Sequence, residues 1–179
     1  MTPNIATISM FCFSFLSFIW ISFFRNLLIF SILIFITGIM DGCDGAIARL
    51  TQTSTKFGAF FDSMMDRISE FFIFFGLIIY NWKVYLWNVV DMRLILFVSY
   101  LISFMISYCR TRAEVFFKGD FDTGLMARSE RLFYLFIATL IGYFYGFTAV
   151  LLFIFMWLVI ATYIFRCFKI STQFKNREN

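Results

Sequence analysis

Runs of about 20 apolar residues, separated only by short polar stretches, constrain this chain more than any other feature. They fall at residues 6–24, 27–48, 60–80, 91–111, 130–147 and 149–168. A backbone in hydrocarbon must satisfy every N–H and C=O within itself, so runs of this length are expected as helices. The expected fold is an all-α polytopic membrane protein with six transmembrane helices. A hydrophobic content of 61% over 179 residues excludes an ordinary soluble domain. There is no internal repeat or low-complexity linker, so 1–179 reads as a single membrane domain.

Charge orients these helices. With both termini cytoplasmic, that side receives twelve Lys and Arg residues and the other receives three, Arg25, Lys83 and Arg93. The net charge of +4 is therefore assigned to topology and anionic headgroups, and no nucleic-acid partner is expected. Arg25-Asn26 makes a tight first turn, and the tryptophan- and tyrosine-bearing stretch 81–90 suits a membrane interface. Segment 112–130, the longest polar interruption, is expected as a cytoplasmic loop flanked by helix ends. No cleavable leader is expected, since the N-terminus lacks a basic segment. The four cysteines have no metal-ligand spacing and histidine is absent, so acid–base chemistry must come from other side chains.

Four aspartates interrupt the apolar background. Asp41 and Asp44 are three residues apart and Asp62 and Asp66 four apart, so on helices each pair shares a face. Carboxylates clustered in a membrane need pairing, hydration or metal, and two pairs on neighbouring helices can converge on hard divalent cations. An ion pathway through a small channel or carrier accounts for the same placement. Gly45 and Ala48 leave a groove beside the first pair, and Gly58 lies one turn before Asp62, which lets a bulky ligand approach the backbone. Arg49 reads either as a topology anchor or as a diphosphate ligand.

These residues resemble the motif of the CDP-alcohol phosphatidyltransferase family, D-x-x-D-G-x-x-A-R followed after eight residues by G-x-x-x-D-x-x-x-D. Asp41, Asp44, Gly45, Ala48, Arg49, Gly58, Asp62 and Asp66 match its eight fixed positions. The resemblance implies six transmembrane helices around a polar cavity open to the cytoplasmic leaflet, usually in a homodimer. It implies Mg2+, as two ions with Mn2+ a substitute, held by Asp41, Asp44, Asp62 and Asp66, with Asp66 also the catalytic base. Gly45, Ala48, Arg49 and Gly58 fall to the CDP-lipid.

Ser107-Tyr108-Cys109-Arg110-Thr111-Arg112-Ala113-Glu114 and Arg128-Ser129-Glu130-Arg131 form a second signal. Arg110, Arg112, Arg128 and Arg131 can build an anion site if both helix ends face the aspartates, with Glu114 and Glu130 steadying the guanidiniums. These segments are similar to those of the phosphatidylinositol-phosphate and archaetidylinositol-phosphate synthases. That narrower resemblance implies transfer from a CDP-lipid, CDP-archaeol or CDP-diacylglycerol, to L-myo-inositol 1-phosphate with release of CMP. A glycerol-phosphate acceptor is the alternative within the family.

Overall fold

The computed structural model describes residues 3–50, 55–116 and 126–178, apart from the side chains of 3, 44, 48–50 and 176–178. Six helices account for nearly all of them. α1 spans Pro3–Phe24, α2 Leu27–Leu50, α3 Lys56–Tyr80, α4 Met92–Phe116, α5 Arg128–Tyr145 and α6 Thr148–Glu178. Each covers one apolar run of the sequence and exceeds most of them at the polar end.

Local chemistry sets the boundaries. Arg25 takes a positive φ of 51°, and Asn26 accepts from the amides of Leu28 and Ile29 at 3.0 and 3.3 Å, which caps α2. Thr55 caps α3 by accepting from Gly58 N at 2.9 Å. Glu130 reaches back to accept from the amide of Ala127 at 2.6 Å at the start of α5. Gly146, at φ 75°, ends α5 in the left-handed region.

Two features refine the expected fold. The interfacial stretch after α3 contains a short antiparallel hairpin, β1 (Tyr85–Leu86) and β2 (Val90–Asp91), with Tyr85 opposite Asp91 and Leu86 opposite Val90. Its turn residues Trp87 and Asn88 both have positive φ, the twist a tight hairpin requires. Among the described residues four of the six helices, α1, α2, α4 and α6, are long and apolar enough by composition alone to cross a membrane. The difference lies in charge: α3 carries Asp62, Asp66, Arg67 and Glu70 along one stretch, and α5 opens on Arg128, Glu130 and Arg131. Of segment 112–130, residues 112–116 extend α4 and 128–130 begin α5, while 117–125 lie outside the described residues.

Packing brings α1 against α2 and α3, α2 against α5, and α4 against α6. Ile21, Phe30, Ile34, Phe74, Leu96 and Phe155 belong to one buried cluster. Small and hydroxyl residues let the helices approach, and the hydroxyls donate back to their own helix: Ser17 to Ser14 O, Thr37 to Leu33 O and Ser99 to Ile95 O. The closest approach is at the α5–α6 turn, where a Cβ on Gly142 would lie 2.0 Å from Thr148 Oγ1 and 3.2 Å from its Cα. At Gly42 a Cβ meets nothing within 4 Å. Gly142→Ala is therefore expected to cost about 1–3 kcal/mol through overpacking, and Gly42→Ala to cost nothing or to stabilise its helix. Thermal unfolding midpoints of the two variants in detergent check the contrast.

Candidate active site

The polar ends of five helices meet at one end of the bundle. α2 brings Asp41 there, and α3 brings Asp62 and Asp66, one turn apart on a common face. One carboxylate oxygen from each of the three lies within 4.8 Å of the others, and all three residues are half-buried. The Asp44 side chain lies outside the described residues, as do those of Ala48 and Arg49.

Arg128, the first residue of α5, crosses this cluster. Its Nη1 forms ion pairs with both Asp41 and Asp66. Its Nη2 donates toward Met10 Sδ at 3.3 Å and toward the Asp66 carbonyl at 3.5 Å. One guanidinium thus ties α1, α2 and α3 to the start of α5.

Arg131, one turn further along α5, is only 1% exposed at its side chain. It donates through Nε and Nη2 to the two carboxylate oxygens of Glu70, at 2.8 and 3.0 Å, to Met126 O at 3.2 Å, and to Ser107 Oγ at 3.4 Å. The bidentate geometry and the additional acceptors are what make so buried a pair tolerable. Arg166 of α6 is also buried and donates to Ile106 O at 3.4 Å. Arg110 of α4 is half-exposed and pairs with Glu114 at 2.9 Å, as the sequence suggested.

A cavity of about 470 Å³ joins these groups. Its lining includes Asp41, Asp62, Asp66 and Glu70 together with Arg110, Arg128, Arg131 and Arg166. Such a space can hold an anionic ligand that meets both the guanidiniums and cations held by the carboxylates. The donor set has only hard oxygens among the described residues, which fits a divalent cation of the Mg2+ kind.

Not every anticipated residue reaches this cavity. Arg112 stands outside it: two residues along a helix turn the side chain by roughly 200°, and the Arg112 guanidinium lies 4.7 Å from the Phe116 ring centroid, facing a separate groove beside Cys109 and Cys167. Gly58 serves the cap of α3, where a Cβ would press to 3.0 Å on Thr55 Oγ1. Glu130 acts as a helix cap and leaves Glu70 to hold Arg131. Glu70 and Arg166 escaped the sequence reading. Glu70 was legible as the third acid in the series Asp62, Asp66, Glu70 at intervals of four, and Arg166 as a charge inside an apolar run.

The family model described as CDP-alcohol phosphatidyltransferase matches residues 1–168. The chain belongs to this family. It is 34% identical over 139 residues to the archaetidylinositol phosphate synthase of Pyrococcus horikoshii, covering 78% of this chain and 69% of that one. Against the phosphatidylinositol phosphate synthase of Mycobacteroides abscessus it is 33% identical over 100 residues, 55% of this chain and 44% of that one. Its fold is shared with Mycobacterium tuberculosis phosphatidylinositol phosphate synthase crystallised with CDP-DAG bound, at a TM-score of 0.81 and 24% identity, covering 96% of this chain and 87% of that one. The same enzyme in complex with manganese and citrate aligns at a TM-score of 0.83 and 24% identity, covering 96% and 83%. The chain is accordingly an enzyme, a transferase of phospholipid biosynthesis, and the ion-pathway reading of the aspartates gives way.

The Glu70–Arg131 pair gives a direct test of how the site is held. Removing one partner strands a buried charge, so Arg131→Met or Glu70→Leu alone is expected to cost about 3–5 kcal/mol, and the double variant much less than their sum. Unfolding midpoints of the two single variants and the double variant form the measured cycle.

Proposed function

We propose that this enzyme transfers a phosphatidyl-type group from a CDP-lipid to L-myo-inositol 1-phosphate, releasing CMP, with dependence on Mg2+. The observation that carries this reading is the single cavity in which a three-carboxylate cluster faces several arginines. A nucleotide diphosphate needs the first and a phosphorylated acceptor the second. Similarity to inositol-phosphate-type synthases of archaeal and bacterial origin supports the acceptor.

Asp41, Asp62 and Asp66, with Asp44 from the next turn of α2, would hold the divalent cations. The cations supply charge neutralisation at the diphosphate as the leaving group departs. The acceptor hydroxyl oxygen attacks the lipid-bearing phosphorus, the bond to the bridging oxygen breaks, and CMP leaves with that oxygen. Asp66 is assigned the hydroxyl proton, as the family resemblance implies, from its place on the cavity lining beside Arg128. Arg49, with Gly45, Ala48 and Gly58 along the α2–α3 corner, is assigned to the CDP-lipid. Arg110, Arg128 and Arg166 are assigned to the anionic end of the acceptor, Arg131 on Glu70 forms the fixed wall behind them, and Arg112 has no part in it because its helix face points elsewhere.

The helical ends that bear the site also bear most of the Lys and Arg, which supports a cavity open to the cytoplasmic side in a six-span protein. α3 and α5 complete the six with Asp62, Asp66, Glu70, Arg128 and Arg131 lining the polar cavity rather than facing lipid. The resemblance adds a homodimer to this reading.

CMP release by purified protein is expected only when CDP-lipid, inositol 1-phosphate and Mg2+ are all present. Asp66→Asn should insert normally and lose about 10²–10⁴-fold in turnover, and near-normal turnover in that variant would remove Asp66 as the base. Offered side by side with the same CDP-lipid, inositol 1-phosphate should outcompete glycerol 3-phosphate, free inositol and serine. Preference for glycerol phosphate would reassign the acceptor. CDP-archaeol and CDP-diacylglycerol compared in that assay identify the lipid.

A further inference from the structure

The metal-binding carboxylates of the proposed reaction already have a cationic partner built into the chain. Arg128 pairs through a single Nη1 with Asp41 on α2 and Asp66 on α3, two of the three residues whose oxygens converge. Its second nitrogen rests on Met10 and on the Asp66 backbone. This guanidinium therefore lies over the oxygens a divalent cation would need. It also lines the cavity assigned to the acceptor.

A guanidinium and a dication at the same carboxylates repel one another, and the repulsion is strong where water is largely excluded. The carboxylates can satisfy either one at full strength. Resting on the metal-dependent reading above, we infer that Arg128 is a resident counter-cation: it holds the aspartate cluster together across α2, α3 and α5, and yields those oxygens when a divalent cation binds. The released guanidinium, with five N–H donors, then faces the acceptor cavity, where a phosphate is its natural partner. Loading of the cation and readiness for the acceptor phosphate thereby become linked through one side chain. Arg110 is a suitable comparison, because it lines the same cavity with the same charge but pairs with Glu114 on its own helix.

The test is binding of Mn2+ to the purified full-length protein in detergent, with neither substrate present, followed by the loss of the free-ion electron paramagnetic resonance signal. If Arg128 occupies the cluster nine parts in ten, Arg128→Gln tightens Mn2+ binding by about tenfold. Arg128→Lys keeps the charge but loses the fork, and its affinity falls between those of the wild type and Arg128→Gln. Arg110→Gln, which removes a cavity charge away from the cluster, tightens binding less than Arg128→Gln does. Unchanged or weaker Mn2+ binding in Arg128→Gln overturns the inference, as does a tightening no greater than that of Arg110→Gln. Should Arg128→Gln fail to fold, Arg128→Lys decides alone, and binding no tighter than wild type overturns it. Absence of saturable Mn2+ binding in both the wild type and Arg128→Gln defeats the metal-dependent reading as well, whereas saturable wild-type binding with no gain in the Arg128 variants defeats only this one.

Discussion

Carboxylates sunk into an apolar bundle demand counter-charge, and this demand organises the end of the molecule where the site lies. The aspartates on α2 and α3 cannot all remain ionised at close range unless cations stand beside them. Arg128 and Arg131 supply them from the first turn of α5, one across Asp41 and Asp66 and the other on Glu70. These two residues lie three apart in sequence, so both point to the same side of α5. The consequence reaches beyond the site. α3 shares its acids with α5, and this electrostatic seam ties α3 to α5 at the polar end, beside the packing of α2 on α5.

The two pairs do different physical work. Arg131–Glu70 is dry, bidentate and supplemented by a carbonyl and a hydroxyl, a closed unit with its donors largely spent. Such a unit fixes geometry at little net gain in stability. Arg128 is held by single contacts to several groups at the cavity wall, so its bonds can be exchanged one at a time. A rigid arginine and an exchangeable one, one turn apart, give a polar cavity both a fixed wall and an adaptable one.

Much of this was legible in the sequence because membrane physics leaves few choices. Each apolar run became a helix, and the turn at Arg25-Asn26 was as tight as its polar residues implied. The aspartate spacing gave the shared face of Asp62 and Asp66 directly. What escaped was rotation and pairing. Arg110 and Arg112 both looked like anion ligands, yet helical phase separates them, and which of the two faces the cavity depends on how α4 packs against α6. Glu70 was passed over in favour of Glu130 because proximity in sequence is a poor guide to pairing between helices: Arg131 reaches across 61 residues for its carboxylate. The hairpin after α3 was hidden because a two-residue strand has no periodicity to read.

The opposite end of the bundle shows that charge alone does not make a site. Arg25 donates to Tyr80 O at 2.7 Å and lies over the Tyr80 ring, closing the last turn of α3. Arg93 stacks on Trp82 and donates to Asp91, holding that carboxyl below the ordinary carboxylate range. Arg25 is matched to a carbonyl and a ring, and Arg93 to a ring and a neighbour two residues away, so both guanidiniums are occupied where they stand. At the polar end most acids come from α2 and α3 and most bases from α4, α5 and α6, Arg67 on α3 and Glu114 on α4 being the exceptions, so Asp41, Asp66 and Glu70 meet their guanidiniums through the tertiary fold. Drawing these partners from different helices leaves a space between the helix ends that a ligand carrying both a diphosphate and its counter-ions can enter.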